Sequence, residues 1–171
     1  MKDIAVSSRV RLARNYQDLP FRGRITPDQM ESCVQRTLDA LRHLPEAYQL
    51  YLLRSTDEIQ RKALVEARLI SPDLLAHEDG GAALIRQDQK ISVMMNEEDH
   101  LRIQSFVSGD DLNAAAENAF SIDDALQHSL SFAFDSQWGY LTACPTNTGT
   151  GMRASMMLHL PMLTLLKQWA K

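Results

Sequence analysis

A chain of 171 residues, 44% of them hydrophobic, is long enough to bury one substantial core, and one domain over residues 1–171 is the expectation. A formal net charge of -4 excludes a surface built throughout for nucleic acid, so an anion site has to be a local concentration of arginines. No apolar run approaches the roughly 18 residues of a membrane span, the N-terminus lacks a secretory h-region, and Cys33 and Cys144 stand far apart without metal-ligand spacing, which together predict a cytoplasmic protein with no metal site of its own.

Ile4 to Leu12 alternates: Ile4, Val6, Val10 and Leu12 share one parity, Ser7, Arg9 and Arg11 the other, as in a half-buried strand. Two guanidiniums on one strand face repel unless an anion or carboxylates lie between them, and a polyphosphate suits their planar donor forks. Arg14, on the opposite parity, reads as a strand-end surface charge. Thr26-Pro27-Asp28-Gln29 starts a helix with an N-cap, a proline at the first helical position and a capping box. That helix is predicted to about Leu44, with Cys33 among the apolar positions of its buried face and therefore inert.

Tyr48 to Arg54 reads as a buried strand. Ser55 to Glu58 caps a second helix with the stripe Ile59, Ala63, Ala67 and Ile70, and Pro72 ends it or begins another turn. His77 to Gly81 is a turn cluster, and Ala82–Arg86 and Lys90–Met95 are spaced as a hairpin. Ser108 to Asp111 breaks the next strand and caps a helix, which Ser121-x-x-Asp124 restarts or continues towards Phe134 with Ile122, Leu126 and Leu130 inward. A short strand from Trp138 to Ala143, a strand from Ala154 to Leu160 and a closing helix from Pro161 with Leu165, Leu166 and Trp169 complete the chain.

Two stretches carry candidate chemistry. Asn96-Glu97-Glu98-Asp99-His100-Leu101-Arg102 packs acids, an imidazole and a guanidinium between two apolar runs, and strand alternation would put Glu98, His100 and Arg102 on one surface. A charged turn between strands is the plainer alternative. Cys144 to Arg153 is dense in Gly and Thr, so its backbone could approach a ligand closely and its hydroxyls and amides could donate to oxyanions. It lacks the Gly-Lys-Ser/Thr ending of a Walker loop, and a tight turn is the alternative there.

Taken together, Ser7-Ser8-Arg9-Val10-Arg11, Asn96 to Arg102, and Cys144-Pro145-Thr146-Asn147 through Gly151-Met152-Arg153-Ala154 resemble motifs of the ATP:guanidino phosphotransferases, the creatine and arginine kinase superfamily. The branch that fits best is that of the bacterial protein arginine kinases, because the chain begins almost at Ser7 and carries Met157 where the metabolite kinases place a histidine against adenine. The resemblance implies an α+β fold, an antiparallel β-sheet flanked by helices as in phosphagen-kinase (glutamine-synthetase-like) catalytic domains, incomplete at the C-terminus. It implies that Ser8, Arg9, Arg11, Arg102 and Arg153 hold ATP with Mg²⁺, that Glu98 is the catalytic carboxylate, and that Cys144 is the thiol beside the substrate guanidinium. The implied partners are proteins with exposed arginines, a Clp-type protease, a zinc-binding activator protein and a second copy in a homodimer, with no nucleic acid and no membrane.

Family members continue past this point with a further ATP-binding arginine and a loop bearing a second carboxylate, so little transfer is expected from this chain alone. A non-catalytic module binding nucleotide or phosphoarginine is the competing expectation. Nucleic-acid binding through Arg9 and Arg11 is disfavoured by the acidic composition and the lack of interleaved aromatics.

Overall fold

The computed structural model describes residues 4–76 and 79–166. Strand β1 (Ala5–Arg14) lies next to the edge of a six-stranded sheet, between β5 (Leu101–Ser108) and β8 (Met152–Leu158), and pairs antiparallel with both. Beyond β5 follow β4 (Ile91–Met95), β3 (Ala82–Arg86) and β2 (Tyr48–Leu52), each again antiparallel to its neighbour. The expected α+β architecture, an antiparallel sheet flanked by helices, is the one observed.

One sheet face is covered by α1 (Pro27–Leu41) and α4 (Leu112–Gln127), which bury Cys33, Leu41, Ala115, Ala119, Ile122 and Leu126 against Val10, Leu12, Val93, Met95 and Ile103. Both helices start where their caps dictate. In α1 the Thr26 hydroxyl accepts the Gln29 N–H while the Gln29 amide oxygen accepts the Thr26 N–H; in α4 the Asp111 carboxylate accepts the Ala114 N–H. Ser121 does not interrupt α4, for its hydroxyl bonds back to the Asn118 carbonyl, so of the two expected outcomes the helix continues, but it ends at Gln127 rather than reaching towards Phe134.

The opposite face is covered over β2–β4 by α2 (Glu58–Glu66) and α3 (Pro72–Leu75), through Leu53, Leu64, Leu69, Ile70 and Leu74 against Ala83, Ile85 and Met94. Over β5, β1 and β8 that face carries arginines. Among the described residues no helix is long and apolar enough to cross a membrane.

Several expectations are corrected. Arg14 is 2% exposed: its guanidinium grips Asp123 of α4 at 2.7 and 3.0 Å and lies 3.6 Å from the centre of the Tyr140 ring. A partner 109 residues away converts a nominal surface charge into a buried ion pair. Strand β2 is an edge strand with Gln49 and Leu50 exposed, not a buried one. In α2 the inward residue is Leu64, and Ile59 is 81% exposed, since the helix turns its Leu64 side to the sheet. Ile4 and Val6 have inward parity but lie exposed at the start of β1. Helix α1 stops at Leu41. The short strand β7 covers only Gly139–Tyr140, paired with β6 (Phe134–Asp135). The closing helix α5 (Pro161–Leu165) leaves Leu165 and Leu166 exposed; Trp169 and His77 lie outside the described residues.

Candidate active site

Antiparallel pairing places side chains of opposite residues on the same face. Arg11 stands opposite Gln104 on β5 and Arg153 on β8, Arg9 opposite Phe106 and Ser155, and Arg102 opposite Ala13. Four expected arginines, Arg9, Arg11, Arg102 and Arg153, therefore share the sheet face that α2 and α3 leave uncovered. Arg9 donates from Nε to the Ser155 hydroxyl at 3.2 Å, and Arg11 Nε is buried with no hydrogen-bond partner. Burial, followed by repulsion from Arg9, Arg102 and Arg153, lowers the Arg11 pKa to about 10. Arg9 is lowered too, by burial first and then by Arg68, Arg153 and Arg102. Like charges held this close with an orphaned donor fit a polyanion with several oxygens.

The acidic stretch sits at one end of this row. Asn96, at φ 59, turns the chain and is fixed by its amide to the carbonyls of Met30 and Gly80. Glu97 is fully buried: one oxygen accepts the Ser71 hydroxyl and Arg102 Nη1, the other the Glu98 N–H at 3.1 Å. Glu98 instead points outward, its side chain 43% exposed and 3.3 Å from Arg102 Nη2. It lines a cavity of ≈ 550 Å³ with Arg22, Gly23, Asp73, Ala76 and Glu97. Partial burial, with the neighbouring Asp99 carboxylate next in effect, pushes the Glu98 pKa up, against the pull of Arg102. A carboxylate held there can accept hydrogen bonds from a cationic group and take a proton from it.

His100 does not share that surface. It is buried beneath the turn, where Nδ1 accepts the Tyr16 N–H at 3.0 Å and Nε2, which therefore carries the proton, donates to the Pro20 carbonyl at 3.0 Å. Its role is structural: the ring ties the acidic turn to the end of β1.

Cys144 is half-buried, with Sγ 3.0 Å from the Thr146 hydroxyl, ahead of a single 3₁₀ turn over Pro145–Asn147. Its loop is anchored to the acidic turn, for Oδ1 of buried Asp99 accepts both the Ala143 N–H and the Asn15 amide at 2.6 Å. Cys144 and Glu98 are thus each one residue from the two ends of the Asp99–Ala143 bond, although Cys144 stands outside the lining of the Glu98 cavity. Of the glycines of this loop, Gly151 is required by packing. A Cβ on Gly151 would meet Arg14 Nη1 at 2.5 Å and the Ala13 carbonyl at 2.6 Å. The hydroxyls of Thr142 and Thr148 bond each other at 3.0 Å within the loop.

Ser8 is also corrected. Its side chain is fully buried on the opposite face, where the hydroxyl donates to the Gly109 carbonyl and accepts the Asp111 N–H. Two arginines escaped the sequence reading. Arg22 lines the Glu98 cavity and donates to the Glu97 carbonyl at 2.7 Å, and nothing in Phe21-Arg22-Gly23-Arg24 marks it out. Arg68 lines a second cavity, of ≈ 360 Å³, at the Arg9 end of the row, together with Ser7, Phe106, Ser155 and Met157. The signal available for Arg68 was only its place just past the end of α2.

A family model described as ATP:guanido phosphotransferase, C-terminal catalytic domain, matches residues 29–171. The chain is 48% identical to the protein-arginine kinase of Symbiobacterium thermophilum, covering 97% of this chain and 48% of that protein, and 45% identical to that of Halothermothrix orenii, covering 96% and 47%. It spans about half the length of these curated relatives. Among solved structures, the taurocyamine kinase of Schistosoma mansoni with bound transition-state analogue components superimposes with a TM-score of 0.85 at 29% identity, over 96% of this chain and 25% of that one. Lombricine kinase, at 22% identity, shares the fold with a TM-score of 0.82 over 96% of this chain and 50% of that one. With a family model matched from residue 29 to residue 171, the chain belongs to the ATP:guanido phosphotransferases, in their C-terminal catalytic domain.

Proposed function

We propose that this chain carries the nucleotide clamp and the acceptor carboxylate for transfer of the γ-phosphoryl group of MgATP to arginine side chains in proteins. The observation that carries the reading is the order of groups along one sheet face: Glu98 with its cavity, then Arg102, then the under-neutralised arginines Arg11, Arg153 and Arg9. Phosphoryl transfer asks a protein mainly for alignment and charge stabilisation, and the arginine forks supply both to phosphate oxygens. Mg²⁺ enters on the nucleotide and neutralises phosphate charge.

The acceptor guanidinium is protonated at neutral pH, with a pKa above ~12, so its nitrogen has no free lone pair until a proton leaves. Glu98, facing the cavity, hydrogen-bonds the guanidinium and holds one nitrogen towards the phosphorus. As the N–P bond forms and the bond from phosphorus to the ADP oxygen breaks, the displaced proton passes to the Glu98 carboxylate. Its raised pKa favours that step, although orientation is its larger contribution. Cys144 acts on the loop side of Asp99 as a further polar neighbour of the bound arginine. Arg22 and Asp73, which line the same cavity, frame its mouth.

The relatives' name, protein-arginine kinase, supports a protein substrate; a Clp-type protease, a zinc-binding activator and a homodimer belong to this reading as partners. The test is MgATP turnover against an arginine-rich protein, with acid-labile phosphate located on arginine by mass spectrometry. Transfer that depends on Glu98 supports the reading. MgATP binding without transfer leaves a nucleotide-binding module instead.

A further inference from the structure

Strand β2 ends the sheet on the side away from β8. The Gln87 N–H donates to the Ala47 carbonyl at 2.9 Å and the Leu53 N–H to the Gly81 carbonyl at 3.0 Å, and in an antiparallel ladder the bonded residues alternate. Ala47, Gln49, Tyr51 and Leu53 thus turn their backbone to β3, while Tyr48, Leu50 and Leu52 turn theirs outward. The Leu52 carbonyl is taken by Ser55 and Thr56. The N–H groups of Tyr48, Leu50 and Leu52 and the carbonyls of Tyr48 and Leu50 have no partner among the described residues. Native proteins blunt such an edge with charge, proline or a bulge, and Tyr48-Gln49-Leu50-Tyr51-Leu52 has none of these.

A cavity lies beside each face of this strand. On the α1 side, ≈ 220 Å³ is floored by Val34, Leu38, Leu50 and Leu52 and rimmed by the carboxylates of Asp28, Glu31 and Asp79, against one cation, Arg54. On the α2 side, ≈ 310 Å³ is lined by Tyr51, Leu64, Leu69 and Ile85, and the one charged side chain in the lining is a cation, Arg86. Residues opposite one another in an antiparallel pair share a face. Residues of an added strand that bond to Tyr48, Leu50 and Leu52 therefore hold their side chains over the acidic cavity, and the residues between them over the apolar one. A long basic side chain suits the first, its stem on Leu50 and Leu52 and its head among the carboxylates. An apolar side chain suits the second.

The acidic cavity also adjoins the Glu98 site. Gly80, in its lining, accepts the Asn96 amide at 2.8 Å, and Glu97, next in sequence to Asn96, lines the Glu98 cavity. We propose that β2 captures an extended segment of the protein substrate as a further antiparallel strand, with basic side chains over the α1-side cavity and apolar ones over the α2-side cavity, next to Glu98. The proposal rests on the protein-substrate reading above and adds the mode of docking, which selects extended segments over helices.

Fluorescence anisotropy of a short, end-capped peptide alternating lysine and leucine tests it on the 171-residue chain, since that peptide carries no acceptor guanidinium. Methylating the backbone nitrogens of the lysines should weaken binding by about tenfold or more, and methylating those of the leucines should change it little. Leu50→Pro removes an outward N–H without touching a β2–β3 bond, and Asp28→Asn combined with Glu31→Gln leaves the backbone intact. Each should weaken binding by about fivefold or more. In the full-length protein Leu50→Pro should raise KM for an unfolded substrate protein by a similar factor and leave kcat near the wild type. Equal effects of the two methylation patterns, or unchanged binding in the carboxylate variant, overturn the proposal. A constant KM alongside lost peptide binding overturns the substrate assignment and gives the edge to a segment of another partner, and a dimer of the chain that Leu50→Pro dissolves gives it to a second copy. Arginine transfer to proteins without peptide docking overturns the proposal alone, whereas docking without transfer by the full-length protein overturns the substrate reading beneath it.

Discussion

Nη1 of Arg102 lies 2.5 Å from Oε1 of Glu97, a carboxylate with no solvent exposure, whose other oxygen accepts the backbone N–H of Glu98. One buried anion thus sets both the aim of a clamp arginine and the position of the acceptor carboxylate. Glu97→Gln removes the charge while keeping the shape, leaving the Arg102 guanidinium underpaired. We expect a stability loss of about 2–4 kcal/mol in urea unfolding. MgATP binding should weaken with it in calorimetry. Unchanged stability together with unchanged affinity would remove Glu97 from this positioning role.

For Arg9 and Arg11 the opposite balance is expected. Neither has a carboxylate partner among the described residues, and both are depressed in pKa, by burial first and then by nearby guanidiniums, Arg102 and Arg153 among them in each case. Replacement by alanine should cost about 1.5–3 kcal/mol of MgATP binding, the range for a charge-assisted contact. The ligand-free fold should be no less stable in thermal unfolding, because repulsion is relieved. A large drop in the ligand-free melting temperature would mean that these guanidiniums hold the sheet together.

Local signals were read correctly where the partner is local. Thr26 and Gln29 cap one another within a single turn, and the β3–β4 hairpin follows from two apolar runs and a short polar link, so both were legible. Parity placed Arg9 and Arg11 on a face away from Val10 and Leu12, which is correct, but parity does not say what covers a face. Arg14 and Ser8 went astray for that reason: the partners that bury them, Asp123 and the Gly109–Asp111 turn, lie about a hundred residues on. His100 was misplaced because it ends a turn rather than starting a strand, so alternation did not apply to it. Arg68 offered only its place just past the end of α2, since its left-handed backbone position and the cavity it lines with β1, β5 and β8 belong to the folded chain.

The two thiols should differ sharply in reactivity. Cys33 is fully buried on the inner face of α1, and burial pushes its pKa up to about 12, whereas Cys144 is half-buried on a loop. Iodoacetamide at pH 8 should modify Cys144 alone in the folded protein, with Cys33 labelled only after denaturation, as peptide mass mapping would show. Labelling of Cys33 at a comparable rate would refute the packing of α1 on the sheet.

His100 makes stability depend on pH. Burial lowers its pKa below the usual 6.5, outweighing the Pro20 bond and the Asp99 and Asp18 carboxylates that oppose the shift. The unfolded chain then binds the proton more readily than the folded one. The stabilisation is fully present above about pH 6.5 and is lost as pH falls from there through the folded value. Protonation would also abolish the acceptor that the Tyr16 N–H uses. Urea midpoints should therefore fall between pH 7.5 and pH 5.5, and His100→Gln should flatten that slope at the expense of stability at pH 7.5. An equal slope in the variant would assign the dependence to other groups.

Glu98 is the test of the chemistry itself. It differs from buried Glu97: its side chain is 43% exposed, and among the described residues one weak contact, 3.3 Å to Arg102, holds its carboxylate at the cavity. Glu98→Gln should therefore leave unfolding and MgATP affinity close to the wild type, because the arginines make the clamp. Measured in the full-length protein, phosphoryl transfer to arginine should fall by about a hundredfold or more, the usual reach of one acid–base group, whereas this 171-residue chain alone should transfer little even with Glu98 intact. Size and hydrogen bonding are nearly retained, so such a loss isolates charge as the cause. Measuring transfer and affinity on the same preparation separates this outcome from a folding defect. If turnover stays near normal while Glu97→Gln destroys it, the acceptor carboxylate is Glu97, and the outward turn of Glu98 has no part in the reaction.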